Sequence, residues 1–185
     1  MRSFSKPKAW QHPSRWLSVA TPPEIWHNVA HPKGVTAMPS TFLSLHYHLV
    51  FSTKEREPLI SATWRSRLHE YLGGTINGLG AHSQGIGGTA DRVHLLVELR
   101  ATHTLTDFMR ELKKASSKWM HETAGITEFA WQEGYAAFTV SASAIDEVRR
   151  YIENQEEHHG NRSFLEEVKA MLQKSGVKFD EKYLH

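Results

Sequence analysis

Residues 91–99 read DRVHLLVEL, and the alternation in this stretch decides the fold. Val93, Leu95, Val97 and Leu99 fall on one side of an extended chain; Arg92, His94, Leu96 and Glu98 fall on the other. That is the period of two expected of a half-buried strand. A strand that buries one side and lifts an arginine and a histidine off the other displays polar chemistry on a sheet face.

Working outward, residues 43–52 have the same period, with Leu45, Tyr47, Leu49 and Phe51 inward and His46, His48 and Val50 opposite. A helix is expected from a Ser61 cap, carrying Trp64, Leu68, Tyr71 and Leu72 at helical spacing and fading near Gly73-Gly74 or slightly later. Residues 81–87 read as a weak, glycine-interrupted strand, and Gly87-Gly88 as the turn into the 91–99 strand. Thr104-x-x-Asp107 resembles a capping box. It opens a helix with Leu105, Phe108, Met109, Leu112, Ser116 and Trp119 on one face and Arg110, Lys113, Lys114 and Lys118 on the other. Residues 135–141 are strand-like, Ser143-x-x-Asp146 caps a helix running to Gly160, and Ser163-x-x-Glu166 opens a last helix ending near Gly176.

The order β-α-β-β-α-β followed by two helices predicts an α+β fold of the ferredoxin-like, split βαβ kind. It is an antiparallel sheet with helices on one face plus C-terminal helices, one of which carries Tyr151. The first and third strands are then central neighbours. With their apolar sides turned to the helices, His46, His48, Arg92 and His94 share the other face, where burial is costly and a site is natural.

The bulk composition narrows the function classes. The chain has 185 residues and no cysteine, which excludes disulfides and thiolate chemistry. Neither an apolar run long enough to cross a bilayer nor a signal-peptide pattern is evident, so a soluble, cytoplasmic protein is expected, with no membrane partner. Net charge is only +2, and its distribution says more than its total. Residues 1–37 hold five basic residues and one acidic, whereas the other 148 hold 17 basic against 19 acidic. Residues 1–39 show no sustained period and read as an irregular basic tail ahead of a single domain at 40–185. The tail is either a start-site artefact preceding Met38 or an arm that touches a polyanion. Thirteen histidines include two close pairs, His46/His48 and His158/His159, which are weighed as ligands.

Tyr151 and Gln155 are four residues apart on the helix after the last strand, on one face and about 6 Å apart along the axis. Alone, Tyr151 reads more readily as a core aromatic with its hydroxyl at the rim, and His158 and His159 as a favourable helix end.

Together, HYHLVFSTKEREPLI, GGTADRVHLLVEL, FMRELKKASSKWM, WQEGYAAFTVS and VRRYIENQEEHH resemble the single-tyrosine HUH transposases of the smallest bacterial insertion sequences and their REP-associated relatives. The resemblance spans residues 38–185. It implies a homodimer that binds single-stranded DNA, often a hairpin, and cuts and rejoins it through a 5′-phosphotyrosine on Tyr151. It also implies Mg²⁺ or Mn²⁺ held by two strand histidines and the glutamine one turn after the tyrosine. His94 and Gln155 match two of these ligands; Arg92 stands at the position of the first histidine. A guanidinium has no lone pair to give a metal, but it can contact a phosphate directly. Three readings stay open: an active enzyme in which Arg92 does part of the metal's work, one in which His46 or His48 supplies the missing ligand, and a catalytically impaired or domesticated DNA-binding protein. Lys54, Arg56, Lys113, Lys114 and Lys118 are the expected phosphate-backbone contacts, together with Arg92.

Overall fold

A computed structural model describes residues 41–155 and 164–180. The chain divides at Thr41/Phe42 into two units, and the described residues lie almost wholly in the second, Phe42–His185. The second unit holds β1 (His46–Ser52), α1 (Ala62–Gly78), β2 (His82–Gly88), β3 (Arg92–Glu98), α2 (Leu105–Glu122), β4 (Ala136–Val140), α3 (Ile145–Glu153) and α4 (Phe164–Lys174). The strands form one antiparallel sheet in the order β2-β3-β1-β4. This is the split βαβ topology expected from the pattern.

β1 and β3 are central, with His48 opposite Leu96, Val50 opposite His94 and Ser52 opposite Arg92. Cross-strand partners share a face. Tyr47, Leu49, Phe51, Val93, Leu95, Val97 and Leu99 therefore meet Leu68, Leu72 and Ile76 of α1 and Phe108, Met109, Leu112 and Met120 of α2 in the main core. The opposite face carries α3, through Leu96, Val140 and Ile152, and α4, through Phe138, Val168 and Leu172. The histidine face is thus roofed by the C-terminal helices, not left open.

Several boundaries move for local reasons. β1 begins at His46, and Leu43 ahead of it is about half exposed. α1 continues through Gly73-Gly74 to Gly78: the full burial of Leu72 and Ile76 outweighs a glycine cost of about 1 kcal/mol each. Gly87-Gly88 belong to β2, and the turn falls at Thr89–Asp91, where the Thr89 N–H donates to the Arg92 carbonyl at 3.0 Å and the Thr89 hydroxyl to Asp91 Oδ1 at 2.8 Å. Gly88, with φ +155, is where the backbone doubles back: a Cβ there would stand 2.2 Å from the Arg92 carbonyl oxygen.

The Thr104 cap forms as expected, accepting from the Asp107 N–H at 3.2 Å. Ser61 stands at the N-cap of α1 as expected, but its hydroxyl bonds Thr63 and makes no capping hydrogen bond, and Ser143 bonds Ser141 in the 3₁₀ turn Ala142–Ala144 that leads into α3. α3 ends at Glu153, with Asn154 outside helical geometry at φ −96, ψ 21. The expected run to Gly160, His158 and His159, and the Ser163 cap lie outside the described residues.

Candidate active site

The floor of the site is the paired stretch of β1 and β3. His48 and His94 are buried, and His48 Nε2 lies 3.1 Å from His94 Nδ1. Burial holds His48 well below the usual imidazole range, at about 4, against an opposing pull from the Glu167 carboxylate. Its ring is therefore neutral near pH 7. When His48 accepts on Nε2, His94 keeps its proton on Nδ1 and turns the Nε2 lone pair toward the roof.

The roof is seated by glycine. A Cβ on Gly87 would stand 2.0 Å from the Ile152 carbonyl oxygen, so only a residue without a side chain lets α3 lie this close to β2. Arg149, one turn earlier, ties the helix to the same strand by donating from Nε to the Gln84 carbonyl at 3.0 Å. Tyr151 is thereby held over the floor, its ring edge-on to both His48 and His94 with centroids 6.0 Å away in each case.

One carboxylate gathers the remaining groups. Glu167 on α4 accepts a hydrogen bond from the Tyr151 hydroxyl and one from Gln155 Nε2 at 3.1 Å, both on Oε1. His94 Nε2 is 3.8 Å from that oxygen, and Arg92 Nη2 is 3.3 Å from Oε2. Arg92, only 3 % exposed, also pairs with Asp91 at 3.0 Å and has Phe164 stacked 4.8 Å away. Burial, then the Glu167 hydrogen bond and charge, push the Tyr151 phenol above its ordinary range, partly offset by Gln155 and Arg92. The hydroxyl is accordingly protonated at neutral pH. Tyr151, Gln155, His94 and Arg92 thus converge on one anion-sized position, now filled by a carboxylate.

Of the other expected site residues, His48 is in the site as a partner of His94, whereas His46 lies two residues further along β1 and bonds Gln84 Oε1 at 3.0 Å. Lys113 is turned inward: Nζ donates to the carbonyls of Gln132, Glu133 and Gly134 at 2.8, 3.1 and 2.7 Å. Burial lowers its pKa to about 8. It ties α2 to the loop before β4. Lys114 is exposed, and Lys118 is exposed with Glu122 3.9 Å away. Lys54 and Arg56 lie exposed in a 3₁₀ turn beyond β1, where Glu55 and Arg56 take positive φ of 54° and 58°. The Arg56 guanidinium is 6.0 Å from the Phe164 ring, on the Arg92 side of the site.

Glu167 belongs to none of the sequence motifs. The signal that could have found it is indirect: a buried arginine on a sheet face needs an acid, and α4 carries Glu166 and Glu167 in its first turn.

Comparison with known proteins agrees with this architecture. No curated protein matches the sequence. Among solved structures, a protein from Deinococcus radiodurans R1 assigned as a transposase is 25% identical, covering 65% of this chain and 98% of its own, with a TM-score of 0.50. A REP-associated tyrosine transposase, solved bound to a REP hairpin, is 12% identical over 68% of this chain and 75% of its own, also with a TM-score of 0.50. Residues 41–155, from the start of the described chain to Gln155, match the family model "Transposase IS200 like". The chain belongs to the IS200-like transposase family.

Proposed function

We propose that the chain binds single-stranded or hairpin DNA and cuts and rejoins it through Tyr151. The observation that carries this reading is the convergence of the Tyr151 hydroxyl, the Gln155 amide, the His94 imidazole and the Arg92 guanidinium on one anion position. A phosphodiester placed there puts its phosphorus beside the phenol. The phenolic oxygen bonds to phosphorus, the P–O3′ bond breaks, and the proton lost by tyrosine ends on the departing 3′ hydroxyl. The 5′ phosphate stays on Tyr151 as an ester of similar energy, so the reverse attack by a 3′ hydroxyl rejoins the strand without a nucleotide cofactor.

Arg92 faces the anion with a fixed charge in a position shielded from water, where such a charge is most effective. His94 and Gln155 fit a divalent metal, Mg²⁺ or Mn²⁺, in donor type and position. Such an ion, when bound, withdraws charge from the phosphate. Lys54 and Arg56, at the exposed end of β1, and Lys114 on α2 are suited to the DNA backbone. The solved REP-associated relative holds a REP hairpin, which supports a hairpin as the ligand to test.

The test is incubation of the full chain with labelled single-stranded hairpin DNA, with and without Mn²⁺, followed by denaturing electrophoresis. A covalent adduct that disappears in Tyr151→Phe, with hairpin affinity kept, is the expected result. An adduct that survives in Tyr151→Phe assigns the nucleophile elsewhere, and salt-sensitive binding with no adduct in the wild type leaves a DNA-binding protein without cleavage.

A further inference from the structure

The anion position is not the only place that α4 fills. Phe164 and Glu167 are three residues apart on this helix, so the ring and the carboxylate leave it on one face about one turn apart. Both meet the same guanidinium: Arg92 Cζ lies 4.8 Å from the centre of the Phe164 ring, and Arg92 Nη2 lies 3.3 Å from Glu167 Oε2. The guanidinium of Arg56 is 6.0 Å from the centre of that ring. An arginine takes a ring on its flat face and an anion on its N–H edge, and a nucleotide offers it both.

We propose that α4 occupies the site as a nucleotide mimic, with Glu167 in the seat of the phosphate and Phe164 in a nucleobase subsite beside Arg92 and Arg56, and that single-stranded DNA binds by displacing it. The inference deepens the reading of the chain as a protein that acts on single-stranded DNA, and rests on it. It adds a second seat to the anion position: the base next to the phosphate at Tyr151 stacks where the Phe164 ring now lies. A base held in a duplex has its faces covered by its neighbours, so this seat selects an unpaired strand.

The remaining contacts agree with such an exchange. The Tyr151 hydroxyl and the Gln155 amide both donate to Glu167 Oε1, and Arg92 serves Oε2, so a phosphate can take over the same donors. The seating of α4 also allows it to leave. Its buried residues Val168 and Leu172 pack with Phe138 of the edge strand β4, in a cluster separate from the main core. All three keep 7 to 9 % exposure, whereas Leu68, Leu72 and Leu112 of the main core have none. Lifting α4 therefore leaves α1 and α2 packed on the other face of the sheet. The Tyr151 hydroxyl then loses its carboxylate partner and faces the phosphate that replaces it.

The test is the affinity of the full chain for a short oligothymidylate and for an abasic strand of the same length, read by fluorescence anisotropy in chelator. Apparent affinity scales with the fraction of chains whose site is open, so loosening α4 from any side should tighten DNA binding. Glu167→Gln, which removes a charge-assisted contact, should tighten it about tenfold. Leu172→Ala touches neither seat; it should also tighten binding while lowering the melting temperature, a pairing that a purely structural α4 would not give. The oligothymidylate should bind at least about fivefold more tightly than the abasic strand, the lower end of what stacking one base contributes. Arg56→Ala should shrink that ratio, whereas loss of a backbone contact would weaken both strands alike. In the wild type, which needs no variant to fold, the amides of Phe164–Lys174 should exchange faster once oligothymidylate is bound. Unchanged or weaker affinity in either folded α4 variant, or unchanged exchange in α4 on binding, overturns the displacement. Equal affinity for the two strands, or a ratio unmoved by Arg56→Ala, overturns the base subsite. Failure of every chain to bind either strand sinks the DNA reading and this proposal together; tight binding with α4 still protected sinks this proposal alone.

Discussion

Arg92 is the residue on which the chemistry turns. Buried between Asp91 and Glu167, it is part of an ion-pair cluster in which removing one partner strands the others at a cost of roughly 3 to 5 kcal/mol. Arg92→His tests its role most sharply, because it exchanges a fixed positive charge for an imidazole that can donate to a metal. Mn²⁺ uptake should rise, since two imidazoles would then face the roof from one strand. Any metal-free adduct formation should fall about 10- to 100-fold, as expected when a charge-assisted contact worth about 1.5 to 3 kcal/mol is lost. Unchanged Mn²⁺ uptake and unchanged metal-free cleavage would place Arg92 outside the chemistry. Strand alternation placed Arg92 and His94 on one sheet face, and the family resemblance singled out Tyr151 and Gln155; the four stand around Glu167. Glu167 itself was not legible in the sequence. Its place depends on how α4 lies across the sheet, and a period of 3.6 says which residues share a face but not what that face meets.

At the scale of elements, the seat of α3 is the sensitive point. Gly87→Ala would drive a methyl group into the Ile152 carbonyl, which a Cβ would approach to 2.0 Å. Either α3 lifts from β2 or β2 bends, and in both cases Tyr151 shifts relative to His94. Overpacking of this kind costs typically about 1 to 3 kcal/mol, and a displacement near 1 Å costs on the order of 100-fold in rate. Adduct formation should therefore collapse while hairpin binding is largely kept; full activity in Gly87→Ala would show that the close approach does not position the tyrosine. The lysines of α2 separate just as clearly. Lys113→Met removes the donor to three carbonyls and should lower thermal stability by about 1 kcal/mol, because water can reach the exposed carbonyls of Glu133 and Gly134 in its place. Lys114→Ala should leave melting unchanged and flatten the salt dependence of hairpin binding. Stability unmoved in Lys113→Met, together with weakened DNA binding, would return Lys113 to the phosphate contacts. Sequence periodicity grouped these lysines on one polar side, because it cannot register a loop that folds back to cover one of them. The same blindness explains Gly73-Gly74: two glycines look like a stop, but buried residues on either side carry the helix through.

For the whole molecule, the question is whether one chain completes a site. Tyr151, Gln155 and Glu167 reach the His94 and Arg92 of their own chain, and the connection from β4 to α3 is only residues 141–144. Four residues span at most about 14 Å, a short tether for handing the tyrosine helix to a partner. Exchange would also have to strip Leu96 and Ile152, both fully buried, from their packing at roughly 1.5 to 3 kcal/mol for each side chain before a partner's helix restored it. The homodimer implied by the family resemblance would then hold two sites, each built within one chain. Mixing Tyr151→Phe chains with His94→Ala chains, each inactive alone, tests this. With the tyrosine acting in its own chain, every site in a mixed dimer lacks either the nucleophile or the imidazole, and no adduct forms at any ratio. If helices were exchanged, one site of each mixed dimer would pair an intact Tyr151 with an intact His94, and adduct would appear on mixing. Recovery of activity on mixing would mean that α3 leaves its own sheet when the protein dimerises or binds DNA.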